Sequence, residues 1–215
     1  MILGPDQIIA CPHCGGLSQH CTLVSGNTFG AQVWTDGKQV APMLLQPPPV
    51  VKCAHCARCY WLADAEEIAT VYLRVKGERN IDPAWRKAPL AEEPSETEYY
   101  AAMEDGLAED RVQERNLRVL AWWRGNDAVR NRDPAPRETP AISQAGRTNL
   151  ERLADLLDDD DDSDRLMKAE VLRELGQFEA AGKILDGITS DNVTRILRRI
   201  RSLCDDRDAC VREIT

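Results

Sequence analysis

Apolar and polar positions follow two different rhythms along this chain. Up to about residue 62 the apolar residues come in short runs, rich in β-branched and aromatic types. Residues 31–35 and 38–44 flank Asp36-Gly37, a turn dipeptide that predicts a two-residue β-hairpin. Pro47-Pro48-Pro49 predicts a stiff extended connector. Val50 and Val51 follow it, and Tyr60-Trp61-Leu62 reads as a last short strand.

Beyond residue 62 the period becomes helical. Asp64 and Glu67 form a capping box that predicts a helix through about residue 76. Residues 77–94, with Gly77, Pro83, Pro89 and Pro94, read as a linker. Ser95 and Glu98 cap a helix that ends near Gly106. A longer helix is predicted over 109–130, with Val112, Val119, Leu120 and Trp123 on one face. Pro134, Pro136 and Pro140 mark a break over 131–142. Four apolar stripes follow: Leu150/Leu153/Ala154/Leu157, Leu166/Ala169/Leu172/Leu175, Phe178/Ala181/Leu185/Ile188, and Val193/Ile196/Leu197/Ile200/Leu203. Short helices joined by short turns pack as antiparallel neighbours. The expected fold class is α+β: a small β-rich module over 1–62, a helix and linker over 63–94, and a helical domain over 95–215.

Cysteine placement changes the picture of the first module. Six of the eight cysteines and all three histidines lie between Cys11 and Cys59. No run approaches the roughly 20 apolar residues of a membrane span. The N-terminus has neither a basic stretch nor a long apolar one, so no secretory signal and a reducing, cytoplasmic location are expected. There, paired cysteines more often bind metal than form disulfides. Cys11-Pro12-His13-Cys14 and Cys53-Ala54-His55-Cys56 each place two thiolates on one tight turn, with Gly15 free to adopt positive φ. Together they offer four thiolates to one tetrahedral, structural zinc ion.

This pairing resembles the zinc-ribbon class, in which knuckles at two hairpin tips clamp one ion. The sequence departs from that pattern in its long separation between the pairs and in Ala57, where a glycine would be expected. Cys56 and Cys59 share the same spacing, so a second assignment stays open. Cys53/Cys56 is preferred because Cys59 then simply begins the Tyr60-Trp61 strand. Cys21, His13, His20 and His55 are read as non-ligands, and Cys204 and Cys210 as incidental thiols. No His-Glu-x-x-His is present, and no glutamate precedes Glu66, so the zinc-hydrolase and deaminase patterns are missing.

Leu175-Gly176-Gln177-Phe178-Glu179-Ala180-Ala181, with Ala169 and Leu185, resembles the helix-to-helix turn of a tetratricopeptide repeat. Asp158–Asp162 lacks the alternating ligands of a calcium loop and reads as a solvated turn before a helix. Trp122-Trp123-Arg124-Gly125-Asn126-Asp127 is the most unusual helical stretch. Trp122 and Arg124 are candidates for contacting a partner, against the plainer reading that Trp122 packs internally. The whole layout is similar to a group of uncharacterised bacterial proteins, a similarity that brings no activity with it.

Charge narrows the partner. Residues 1–62 hold Asp6 and Asp36 against Lys38, Lys52 and Arg58, a balance of +1; the chain totals −9, which leaves −10 for 63–215. A phosphate-binding surface needs clustered Lys and Arg. The expectation is therefore a non-catalytic adaptor with one structural zinc ion and a protein partner. The alternative is a nucleic-acid-associated protein using Lys38, Lys52 and Arg58 with Trp34, Tyr60 and Trp61.

Overall fold

The computed structural model describes residues 1–73, 81–132, 141–190 and 193–214. The architecture is α+β: among the described residues, three small sheets come mainly from the N-terminal part, and seven helices follow. The chain divides into two compact units, 1–31 with 41–107, and 32–40 with 108–215. No helix among the described residues is long and apolar enough to cross a membrane.

In the first unit β1 (Ile2–Ala10) pairs antiparallel with β2 (Leu17–Ser25). A second hairpin joins β5 (Val50–Lys52) and β6 (Cys59–Trp61). The helix expected after Asp64 does not form. Leu62–Asp64 is a single 3-10 turn, and Glu66–Val71 is strand β7, paired with the other side of β1. The segment Ile68-Ala69-Thr70-Val71 is rich in β-branched residues, and the free edge of β1 offers it a ladder. That tertiary pairing overrides a local capping signal. Residues 74–76 of the expected helix lie outside the described residues.

The described part of the expected linker is ordered by hydrogen bonds. Asp82 caps the short helix α1 (Pro83–Lys87). Pro89 and Ala91 then bond to both sides of the Gln19 backbone, at 2.7 and 2.8 Å, and the Lys52 amide donates to the Glu92 carbonyl at 2.9 Å. One extended segment therefore ties β2 to β5. Helix α2 (Glu96–Glu104) opens on Ser95 with a full capping box, as the spacing of Ser95 and Glu98 predicts. Glu98 also pairs with Lys52, and that ammonium brings its carboxyl down to about 2.

The second unit contains α3 (Arg111–Arg130), α4 (Gln144–Leu156), α5 (Asp162–Glu174), α6 (Phe178–Asp186) and α7 (Thr194–Asp205). Asp110, Ser143 and Asp161 cap the first three of these through side-chain oxygens. The acidic run before α5 thus ends in a helix cap, as expected of a solvated turn. Leu150, Leu153, Ala154 and Leu157 pack with Val171, Leu175 and Trp122. Leu166, Ala169, Ala181, Leu185, Ile200 and Cys204 form a second core cluster, with Phe178 packed against it. Each fully buried leucine contributes about 1.5–3 kcal/mol. Gly176 (φ +79°) closes α5, while the Gln177 amide reaches back to Leu172 and the Gly176 amide to Arg173.

The face expected of α3 is corrected in two places. Val112 is 65% exposed, whereas Leu120 is buried and Val119 and Trp123 pack partly buried against the core as expected; Leu117, Ala121 and Trp122 are buried beside them. Trp122 rather than Trp123 is the buried indole, because α4 and α5 pack against that side.

The expected two-residue hairpin is also corrected. Strands β3 (Gln32–Val33) and β4 (Gln39–Val40) are only two residues each, with 34–38 as the loop between them. Asp36 lies in the turn itself and is buried there. It is 2% exposed and paired with Arg130 at 2.5 Å inside the helical unit. Asn126 bridges Asp36 (3.0 Å) to Glu174 (3.2 Å), and the Trp122 indole N–H donates to Glu174 at 2.7 Å. The Trp123 indole donates to the Asp36 carbonyl at 2.9 Å, and Lys38 pairs with Asp127 at 2.8 Å. Deep burial pushes the Glu174 carboxyl well above its usual range, and the nearby Glu170 pushes it further. The Thr35 amide also donates to the Arg212 carbonyl at 2.9 Å and the Ile214 amide to the Val33 carbonyl at 2.8 Å, an isolated antiparallel bridge that ties the hairpin to residues 212–214.

Arg130 and Asp36 have almost no solvent contact, so removing one partner strands a buried charge. Arg130→Met is expected to destabilise the helical unit by about 3–5 kcal/mol. Urea denaturation followed by the tryptophan signal checks this. A loss below about 1 kcal/mol, typical of an exposed pair, would refute the buried-pair account.

Candidate metal centre

The knuckle pairs sit at two hairpin tips, Cys11–Gly16 between β1 and β2, and Cys53–Arg58 between β5 and β6. Their backbones repeat one hydrogen-bond pattern. The Gly15 amide donates to the Cys11 carbonyl at 2.8 Å, and the Ala57 amide to the Cys53 carbonyl at 2.9 Å. The Cys11 amide donates to Gly16, and the Cys53 amide to Arg58, both at 3.0 Å. Gly15 and Ala57 occupy equivalent positions and share left-handed geometry, with φ +70° and +61°. The second knuckle therefore keeps the shape of the first even though a Cβ is present.

These turns bring Cys11, Cys14, Cys53 and Cys56 together, with all four sulfurs within 4.8 Å of one another. Cys11 and Cys56 sulfurs are 3.9 Å apart, and Cys14 and Cys53 sulfurs 3.7 Å. A tetrahedral ion with metal–sulfur bonds of about 2.3 Å requires sulfur–sulfur edges of about 3.8 Å. A disulfide would require about 2.05 Å. The spacing fits a metal ion and excludes disulfides, and none of the eight cysteines is disulfide-bonded.

Burial pushes the Cys11 thiol up to about 12. At Cys53 burial acts the same way, but backbone amides of Cys56 and His55 aimed at the sulfur outweigh it and bring the thiol down to about 7. Thiolates at this density are held together only by a cation. Beneath them Tyr60, 2% exposed, packs with Cys11, Val51 and Cys53.

Cys59 stands outside the quartet, so the preferred pairing of Cys53 with Cys56 is the one the geometry assembles. Burial raises the Cys59 thiol to about 11. Cys59 lies in β6, where it starts the Tyr60-Trp61 strand as expected.

The two knuckle histidines do something spacing alone does not reveal. The His13 Nε2 lies 3.3 Å from the Cys59 carbonyl, and the His55 Nε2 3.0 Å from the Leu17 carbonyl. Each therefore crosses from its own knuckle to the strand leaving the other. The relation is reciprocal: the third residue of one turn meets the seventh of the other. Gly16 makes room for this, since a Cβ there would fall 2.4 Å from the His55 ring.

The remaining candidate residues lie elsewhere. Trp122 is 4% exposed inside the helical core, and Arg124 pairs with Asp127 at 2.9 Å. Lys38 and Lys52 are each engaged by a carboxylate, and Tyr60 is buried.

Two consequences are measurable. Ala57→Gly removes the left-handed penalty of an L-residue and is expected to stabilise the metal-loaded protein by about 0.5–1 kcal/mol; a thermal melt showing destabilisation would contradict this account of the knuckle. His13→Ala with His55→Ala is expected to keep the metal stoichiometry but release the ion to a chelator about tenfold faster or more, the scale of outer-shell effects. Unchanged release kinetics would show that the histidine bridges do not hold the knuckles together.

The chain matches no protein-family model, no curated protein and no solved structure.

Proposed function

We propose that the protein is a non-catalytic, cytoplasmic adaptor. In this reading one zinc ion locks a ribbon-like module, and a helical unit with tetratricopeptide-like hairpins presents a surface to a protein partner. The observation that carries it is the closed sulfur shell. Four cysteines at tetrahedral spacing fill the coordination of one ion and leave no position for a substrate or an activated water. Soft thiolates in tetrahedral array favour zinc over hard cations. The α5–α6 turn supports the repeat-like reading, since Ala181 is fully buried where the helices approach and Phe178 packs against the same cluster. Stacked hairpins of this kind offer extended surfaces to proteins. The reducing compartment is favoured by eight cysteines that form no disulfide.

Elemental analysis of the purified full chain should find one zinc per molecule. Cys11→Ser, Cys14→Ser, Cys53→Ser and Cys56→Ser should each lose it, and Cys59→Ser should keep it. Retention of zinc in the Cys53→Ser and Cys56→Ser proteins would overturn the site. For the adaptor role, capture of the tagged protein from its native lysate should recover the same specific protein with and without nuclease. A partner set that vanishes with nuclease would replace the adaptor reading with the nucleic-acid one.

A further inference from the structure

The first unit carries a cavity of about 550 Å³ over the face of the β2-β1-β7 sheet. That volume is within the range of ligand pockets. Its walls include Pro47, Pro49 and Trp61, and its polar side chains are Gln7, His20 and Glu67. Among the described residues, Glu67 is the only carboxylate lining it.

That carboxylate is positioned at both oxygens. The Gln7 side-chain amide donates to Oε2 at 2.9 Å, and the Thr70 hydroxyl to Oε1 at 2.5 Å. Gln7 on β1 faces Thr70 on β7 in the sheet register, so the ladder itself sets this arrangement. Trp61 is fixed too, its indole N–H donating to the Leu107 carbonyl at 3.1 Å. His20 lies across the register from Gln7, and desolvation lowers its pKa, so at neutral pH it adds no positive charge to compete with a cation.

A single oriented carboxylate, an aromatic wall and a neutral imidazole in one cavity complement a cation on an apolar stem. A carboxylate satisfies the cationic head, and an indole face attracts the same charge. Proline walls accept the methylene stem of such a side chain, which buries its stem while its head remains polar.

We propose that this groove receives a lysine or arginine side chain of a partner polypeptide. The inference rests on the adaptor reading and names the chemistry of the contact. It assigns Glu67 as the charge anchor, Gln7 and Thr70 as its positioning residues, and Trp61 as the wall against which the cation sits.

The test is nuclear magnetic resonance titration of the metal-loaded, ¹⁵N-labelled full chain. The probes are N-acetyl-lysine N-methylamide and N-acetyl-arginine N-methylamide, with the norleucine derivative as the uncharged control. A single side chain should bind with a Kd on the order of 1–10 mM. Saturable shifts are expected at the Gln7 side-chain amide, the Trp61 indole N–H and the Glu67 amide. The norleucine derivative should not saturate, and Glu67→Gln, an exposed and nearly isosteric change, should weaken lysine binding about tenfold. The inference is overturned if neither basic probe saturates, if norleucine binds equally, or if Glu67→Gln changes nothing. The two readings fail separately. No lysine binding with protein capture intact sinks the groove alone, whereas a groove that binds lysine in a chain that captures no protein sinks the adaptor role and keeps the groove.

Discussion

Four sulfur atoms must meet around one point, although Cys14 and Cys53 lie 39 positions apart in the chain. The N-terminal unit is organised around that requirement. A unit this size has a modest core, and cross-links of this kind supply folding free energy that packing alone does not. The strands meet the requirement by ending at the same place, since β1 delivers Cys11 and β5 delivers Cys53. The segment around Pro89–Glu92 reinforces the arrangement from behind by bonding to β2 and β5. Reciprocal histidine bridges reinforce it from the side.

The helical unit solves a different problem with different means. Its centre is not purely apolar: Asp36, Glu170, Arg173 and Glu174 are all buried. Arg173 holds Glu170 through two hydrogen bonds of 2.8 and 2.6 Å and also donates to the Cys210 carbonyl at 2.9 Å. Fully desolvated charges are tolerated only when nearly every donor and acceptor is met. The polar residues between Trp122 and Arg130 serve this purpose. They attach the 32–40 hairpin to the helices, which accounts for their density in one helical stretch.

How much of this was legible follows from the range of each signal. The knuckles were, because the two-residue spacing that puts two thiolates on one tight turn is a local rule. The capping box at Ser95 and the stripes from Leu150 to Leu203 were, because a helix face is also local. Strand β7 was not, because its partner β1 is some sixty residues away in sequence and competes with an equally good local cap at Asp64. Asp36-Gly37 marks the turn correctly, but the burial of Asp36 is not local: Arg130, 94 positions on, decides where that turn goes. The histidine bridges were invisible because spacing shows which residues flank a ligand and says nothing of what their rings reach.

The hairpin's membership of the helical unit has a consequence for biosynthesis. Residues 32–40 leave the ribosome early, yet their partners come much later. The Thr35 hydroxyl accepts from the Arg212 amide across 177 positions. At about 5–20 residues per second, the hairpin waits roughly 10–35 s for those residues. During this interval Asp36 stays hydrated and the two short strands have only each other to pair with. The cysteine knuckles, complete once residue 56 has emerged, face no such delay. Nascent chains should therefore acquire metal well before the helical unit closes. Closure of the helical unit then joins residues 32–40 to residues 212–214, and the early segment must stay soluble until it does.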